Sequence, residues 1–146
     1  MKVVIQRTSN AKCIIDNNEI ASIKKGLVLL VGFGEDDENV DLDWYVNKIV
    51  NMRIFEDENN KMNLNVKAIG GSILSISQFT LYGNCTKGNR PSFIEALNPD
   101  IAKIKYEQFN KKLSEFVPTQ IGKFGADMKI NFINDGPVTI ILEKKV

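Results

Sequence analysis

Histidine is missing from all 146 residues. Its absence excludes the Ser-His-Asp and Cys-His arrangements and removes the commonest general base. Hydrolysis by this chain would have to use another base, groups of the substrate itself, or backbone dipoles placed where charge develops. Cysteine is scarce as well. Cys13 and Cys85 stand at no metal-ligand spacing, so a zinc site is not expected, nor any other metal or cofactor. Cys13 alternates with apolar neighbours as a small core residue would, and Cys85 falls in a polar stretch where Asn84-Cys85-Thr86 is a chance match to a glycosylation acceptor. Long apolar runs are absent too. The longest, Leu27 to Val31, is far short of a membrane span. Met1 to Arg7 lacks the apolar core of a signal peptide and reads as a strand. The expectation is a cytoplasmic protein with no membrane partner. Net charge is only +1, so no global basic field marks a nucleic-acid binder. The small clusters Lys24-Lys25, Lys87 to Arg90, Lys111-Lys112 and Lys144-Lys145 read as solvated surface, or as local contacts if RNA binds at one end.

What is present is the pattern of an ordinary globular chain, 43% apolar and 25% charged, of a size for one domain spanning residues 1–146. Val3-Val4-Ile5 and Ala11 to Ile15 read as strands. Asp16 to Glu19 reads as a turn, with Ile20 to Ile23 returning as a hairpin partner. Leu27 to Val31 is continuously apolar and predicts a strand buried on both faces. Gly32-Phe33-Gly34 lacks the third glycine of a phosphate loop and runs into Glu35-Asp36-Asp37, so a phosphate site is rejected. Helical spacing covers Glu38 to Arg53, with Leu42, Tyr45, Val46, Ile49, Val50 and Met52 inward. Glu56 to Lys61 reads as a turn, and Ile73 to Leu81 as a strand. Asn98 as N-cap and Pro99 at the first helical position open a helix whose apolar stripe is Ala102, Tyr106, Phe109, Leu113 and Phe116, stopped by Pro118. Two helices against about seven unevenly interleaved strands indicate a mixed α/β domain.

Two stretches stand out. Asn134-Asp135-Gly136-Pro137-Val138-Thr139 lies between two alternating apolar runs, so local rules read a turn joining two strands. Pro137 is odd there, because proline has no N–H for a ladder and locks its own φ. Ser77-Gln78-Phe79-Thr80-Leu81-Tyr82-Gly83 ends a strand with hydroxyls, an amide and backbone N–H groups beside a glycine- and cation-rich loop. Such a run reads either as a half-exposed strand facing water or as a ligand-binding edge.

Taken together and in order, these two motifs resemble the D-aminoacyl-tRNA deacylase family of bacteria and eukaryotes. The resemblance includes Val3 to Arg7, Met52-Arg53-Ile54-Phe55, Lys87 to Pro91 and Gly122 to Met128, and so runs the full length of the chain. It implies a single mixed α/β domain with two β-sheet layers forming a partly open barrel, two main helices on one side, and a homodimer. The implied reaction is hydrolysis of the ester joining a D-amino acid to the 3′-terminal adenosine of tRNA, with glycyl-tRNA left open as a second substrate. Gly136-Pro137 would be cis and reach into the partner's site as a chiral filter made of backbone. Ser77, Gln78, Phe79 and Thr80 would line the ester. Thr80 matches a threonine proposed as nucleophile, but with no base of suitable type near it, backbone N–H groups forming an oxyanion hole are the stronger option. Phe124 and Gly125 would receive the adenine, Arg7 would orient the Gly-Pro segment, Thr139 would support the turn, and Asn134 would belong to the substrate-binding set. The loop Lys87 to Arg90 would meet acceptor-end phosphates. Two alternatives stay open: a sister branch with a trans Gly-Pro that removes L-amino acids, and a catalytically silent tRNA-binding module.

Overall fold

The computed structural model describes residues 1–145. Its organising strand is β1 (Lys2–Ile15), which is hydrogen-bonded along both edges. The first half of β1 pairs antiparallel with β3 (Gly26–Gly32), and the second half with β2 (Asn18–Ile23). The sequence rules split β1 into two strands because Thr8-Ser9-Asn10 interrupts the apolar alternation. Pairing with β8 (Lys129–Glu143) on the opposite edge carries it through. β3 continues into a parallel pair with β6 (Ser72–Ser77), and β6 into a parallel pair with β7 (Thr119–Ile121). The resulting sheet curls into a nearly closed barrel. A separate two-stranded sheet, unforeseen in the sequence, pairs β4 (Phe55–Glu56) with β5 (Met62–Leu64).

Two cores follow from the two faces of the curled sheet. Val28, Leu74, Ile76, Ala11 and Cys13 fill its inside. Leu27, Leu29, Val31, Val3 and Ile5 face the two helices on the other side. β3 therefore has side chains in both cores, as its unbroken apolar run predicts. Helix α1 (Leu42–Asn51) starts later than the helical spacing suggests, after a short 3₁₀ turn at Asp37–Asn39. The Asp41 carboxylate accepts from the Trp44 N–H and caps it. Its buried residues are Leu42, Tyr45, Val46, Ile49 and Val50, while Met52 falls just past its end and is half-buried.

Helix α2 (Pro99–Ser114) begins where Asn98 and Pro99 indicate, with the Asn98 side chain accepting from the Asp100 N–H at 3.0 Å. Its stripe buries Ala102, Tyr106, Phe109 and Leu113. Phe116 breaks the expectation. It lies beyond the helix and is 55% exposed, because the chain turns at residues 115–117 to enter β7.

Two further readings are corrected. The strand expected to reach Leu81 stops at Ser77, and residues Phe79–Tyr82 form a 3₁₀ turn. The hairpin expected at Asn134–Pro137 does not exist. β8 runs through it as one strand, with Asn134 opposite Thr8 and Thr139 opposite Gln6. Asp135 to Val138 therefore bulge outward opposite Arg7 alone. Among the described residues no helix is long and apolar enough to cross a membrane.

The two phenylalanines of the α2 stripe provide a test. Phe109 is fully buried, so Phe109→Ala should lower the unfolding free energy by about 3–5 kcal/mol. Phe116→Ala should change it by less than about 0.5 kcal/mol. Denaturant melts of both variants measure this, and equal losses would contradict the placement of Phe116.

Candidate active site

A cavity opens at the carboxyl ends of the parallel strands β3 and β6, the usual place for a ligand in such a pair. It measures about 620 Å³, within the range of small-ligand sites. Its walls come from Gly32 and Phe33 after β3, Ser77, Gln78 and Phe79 after β6, the start of α2 at Asn98 and Pro99, and residues 124–128. The first turn of α2 brings the positive end of a helix dipole to this space.

The turn at residues 79–82 is placed by backbone pairing. The Gln78 N–H donates to the Val31 carbonyl at 2.7 Å, which extends the β3–β6 ladder by one bond before the chain tightens. Gln78 does not cap the turn. Its side-chain amide donates instead to the Thr80 hydroxyl oxygen. As a result neither the Phe79 nor the Thr80 backbone N–H has an acceptor among the described residues, and both remain available. The Thr80 hydroxyl is thus partnered by an amide donor, not by a base.

The far end of the turn is anchored by Tyr82. Its hydroxyl donates to Asp37 Oδ2 at 3.2 Å, the same oxygen that accepts from the Gly34 N–H at 2.6 Å and contacts the Met1 ammonium. Burial first, then the facing Asp37 carboxylate, push the Tyr82 phenol upward, so it stays a neutral donor. The ring lies on the Gly34 backbone: a Cβ there would stand 2.5 Å from Tyr82 Cε1. Gly32-Phe33-Gly34, rejected as a phosphate loop, therefore serves close approach of this turn.

Phe124 is supported from below by Tyr106 of α2, ring centroids 5.9 Å apart. Tyr106 is itself fixed by donating to the Ser75 carbonyl at 2.7 Å. Of the residues singled out in the sequence, Ser77, Gln78, Phe79, Phe124 and Gly125 meet in the cavity, while Thr80 sits beside it and is exposed. Phe93, Asp127 and Met128 also reach its walls and went unnoticed in the sequence as site residues. Only Asp127 and Met128 belong to a motif singled out there, Gly122 to Met128.

Arg7, Asn134, Gly136, Pro137 and Thr139 form a second cluster, at the β8 bulge and outside this cavity's walls. Arg7 is buried beneath the bulge, its Nε donating to the Asp135 carbonyl at 3.0 Å and its Nη1 to the Ile54 carbonyl at 2.9 Å. The Asn134 side chain spans the bulge, accepting from the Val138 N–H at 3.0 Å and donating to the Thr139 hydroxyl at 2.9 Å. The Gly136-Pro137 peptide is cis, and Gly136 has φ +133°. A Cβ at 136 would stand 3.0 Å from Arg7 Nη2 and 2.8 Å from Val138 Cγ2, so glycine is required there.

The chain matches the family model described as D-Tyr-tRNA(Tyr) deacylase over residues 4–143. It is similar to the solved structure of the c-Myc DNA unwinding element binding protein, with 38% identity over 100% of both chains and a TM-score of 0.93. It also shares its fold with a probable eukaryotic D-amino acid tRNA deacylase, with 17% identity, 97% of each chain covered and a TM-score of 0.84.

The two carbonyls held by Arg7 make its replacement informative. Arg7→Met should lower the unfolding free energy by about 1.5–3 kcal/mol, the usual worth of hydrogen bonds from a charged donor. Chemical denaturation reads this directly. A loss below about 0.5 kcal/mol would mean that water replaces the guanidinium without cost.

Proposed function

The chain belongs to the D-Tyr-tRNA(Tyr) deacylase family of hydrolases, and we propose that the cavity at the ends of β3 and β6 holds the ester of a D-aminoacyl-tRNA. The observation that carries this reading is the pair of N–H groups at Phe79 and Thr80, without an acceptor among the described residues and beside the cavity wall. They can receive the oxyanion that forms when water attacks the ester carbonyl. The carbon–oxygen bond to the ribose 3′-oxygen then breaks, and the proton given up by the attacking water passes to that oxygen by way of the neighbouring 2′-hydroxyl. Free tRNA and a D-amino acid leave. Phe124, braced by Tyr106, receives the adenine by stacking beside Gly125, and Ser77 and Gln78 position the ribose. Thr80 is not the nucleophile in this scheme, since an activated hydroxyl needs a base within hydrogen-bond reach. Water is the attacking group in this scheme.

Chiral selection is assigned to Gly136-Pro137. A filter of backbone atoms is indifferent to the side chain the substrate carries, and it excludes the wrong enantiomer by clash. Glycyl-tRNA, having no enantiomer to exclude, passes such a filter. Arg7, Asn134 and Thr139 hold the filter in shape. Because the bulge lies outside its own chain's cavity, a second copy of the chain delivers it. The outer edge of β8, which pairs only with β1 among the described residues and exposes Ile133 and Ile141, suits the formation of that homodimer. The reaction places the enzyme with the translation machinery of the cytoplasm.

Release of tRNA from matched D-Tyr-tRNA and L-Tyr-tRNA tests the assignment. Loss of the D-form alone is expected. Loss of an L-form, tested with L-Ala as well, would move the chain to the sister activity, and binding without hydrolysis would make it a silent module. Thr80→Ala should keep kcat within roughly tenfold, whereas removal of a covalent nucleophile costs on the order of a millionfold. A collapse of that size would restore Thr80 as the attacking group.

A further inference from the structure

The cavity ends outward on an aromatic pair that the ester chemistry does not use. Phe79 and Phe93 meet edge to face, centroids 5.1 Å apart and planes at 69°. They remain 59% and 38% exposed. Phe93 is nevertheless held in place. Its Cε1 would be 3.0 Å from a Cβ on Gly83, so the ring rests on the backbone that closes the turn at residues 79–82. Just before it, Asn84 and Ser92 exchange backbone hydrogen bonds of 2.8 and 2.9 Å, which close residues 85–91 into a loop at the base of Phe93.

That loop exposes Lys87 and Arg90 and contains no acidic residue. Neither cation has a carboxylate partner among the described residues. The cavity is therefore bordered by an exposed phenyl pair, and the loop that closes at the base of Phe93 carries two exposed cations with no carboxylate partner among the described residues. A nucleic-acid strand end offers the matching groups: a terminal nucleoside, the phosphate that links it to a second nucleoside, and that nucleoside's base and own 5′ phosphate.

We propose that Phe79, Phe93 and the loop at residues 85–91 form a subsite for the nucleoside preceding the terminal adenosine, its base stacked on the phenyl pair and its phosphates facing Lys87 and Arg90. The inference rests on reading the cavity as the terminal-adenosine site. The amino acid side chain is the other candidate occupant, but it would leave the cations without a partner. A phenyl platform for that side chain would also favour aromatic substrates, against a backbone filter that ignores them. Stacking is tolerant of base identity, so the subsite would add affinity without restricting the enzyme to one tRNA.

The experiment uses D-tyrosyl acceptor-stem minihelices carrying either cytosine or an abasic residue at the penultimate position, with the wild-type chain, Phe93→Leu and Phe93→Trp. Loss of the base should lower wild-type kcat/KM about tenfold, through KM. Phe93→Leu should process both minihelices equally, at the rate the wild type shows on the abasic one, and Phe93→Trp should restore the difference. A wild-type enzyme indifferent to the missing base overturns the proposal. So does a Phe93→Leu enzyme that still senses it, or one that is impaired equally on both and more with D-tyrosyl than with D-alanyl esters. Failure to hydrolyse either minihelix with any variant would instead refute the deacylase reading itself.

Discussion

β1 is hydrogen-bonded on both edges over nearly its whole length, and the other features of the molecule inherit their positions from that strand. On one side it switches partner from β3 to β2, which forces the sheet to curl. On the other it keeps a single partner, β8, and the mismatch is taken up locally, as Asp135 to Val138 swing out opposite Arg7. Since a one-residue slip would turn every side chain to the wrong face, the apolar residues on both sides of the bulge fix its location. Ile140 and Leu142 pack toward the helices on one side of it, Phe132 and Ile130 into the barrel on the other. The bulge cannot migrate along the strand without exposing one of these sets.

The proposed catalytic end of the molecule depends on the same sheet in another way. Parallel pairing of β3 with β6 delivers Gly32 and Ser77 to one edge, and one further bond from Gln78 to Val31 starts the turn whose N–H groups stay free. A chain without histidine lacks the commonest general base, which gives more weight to charge-stabilising dipoles placed by backbone geometry. Dipoles held by a ladder and by the Tyr82–Asp37 bond need little reorganisation as charge develops, which is what makes preorganised N–H groups effective. The lone acceptor for Tyr82 and Gly34 is thus a structural carboxylate with a chemical consequence.

Much of the scaffold was legible because local rules and tertiary packing agree there. The buried run of β3, the Asn98-Pro99 start of α2 and the inward face of α1 all follow from periodicity and capping. Disagreement arose where tertiary pairing overrode local preference. Asp-Gly-Pro is a turn signal by any local rule, yet β1 is long enough to pair with both flanks, so the signal became a bulge. Ser77 to Leu81 alternates like a strand, but Thr80 and Leu81 have no neighbouring strand to bond to, and the chain coils into 3₁₀ geometry. In the cavity, Ser77-Gln78-Phe79 and Phe124-Gly125 are distant in sequence and no spacing rule joins them; only the family resemblance did. Phe93 left no such trace, because its place depends on the Asn84–Ser92 closure, which no residue pattern announces.

The two clusters of site residues raise a geometric question that the bulge itself answers. A glycine whose absent Cβ would meet Arg7 Nη2 at 3.0 Å cannot be replaced without displacing the guanidinium that holds Asp135. Arg7 in turn is pinned from the other side by the Ile54 carbonyl. Backbone fixed this firmly at an exposed position is unusual, since protruding segments ordinarily gain freedom from being on the surface. Rigidity there confers nothing on the chain's own cavity, whose walls lie elsewhere. It has physical use only if something is pressed against it, and a discriminating surface must not yield when the wrong shape arrives. The proposed delivery of Gly136-Pro137 into a partner's cavity gives that rigidity a purpose, and it explains why the anchoring charge is an arginine, whose planar fork reaches two carbonyls at once.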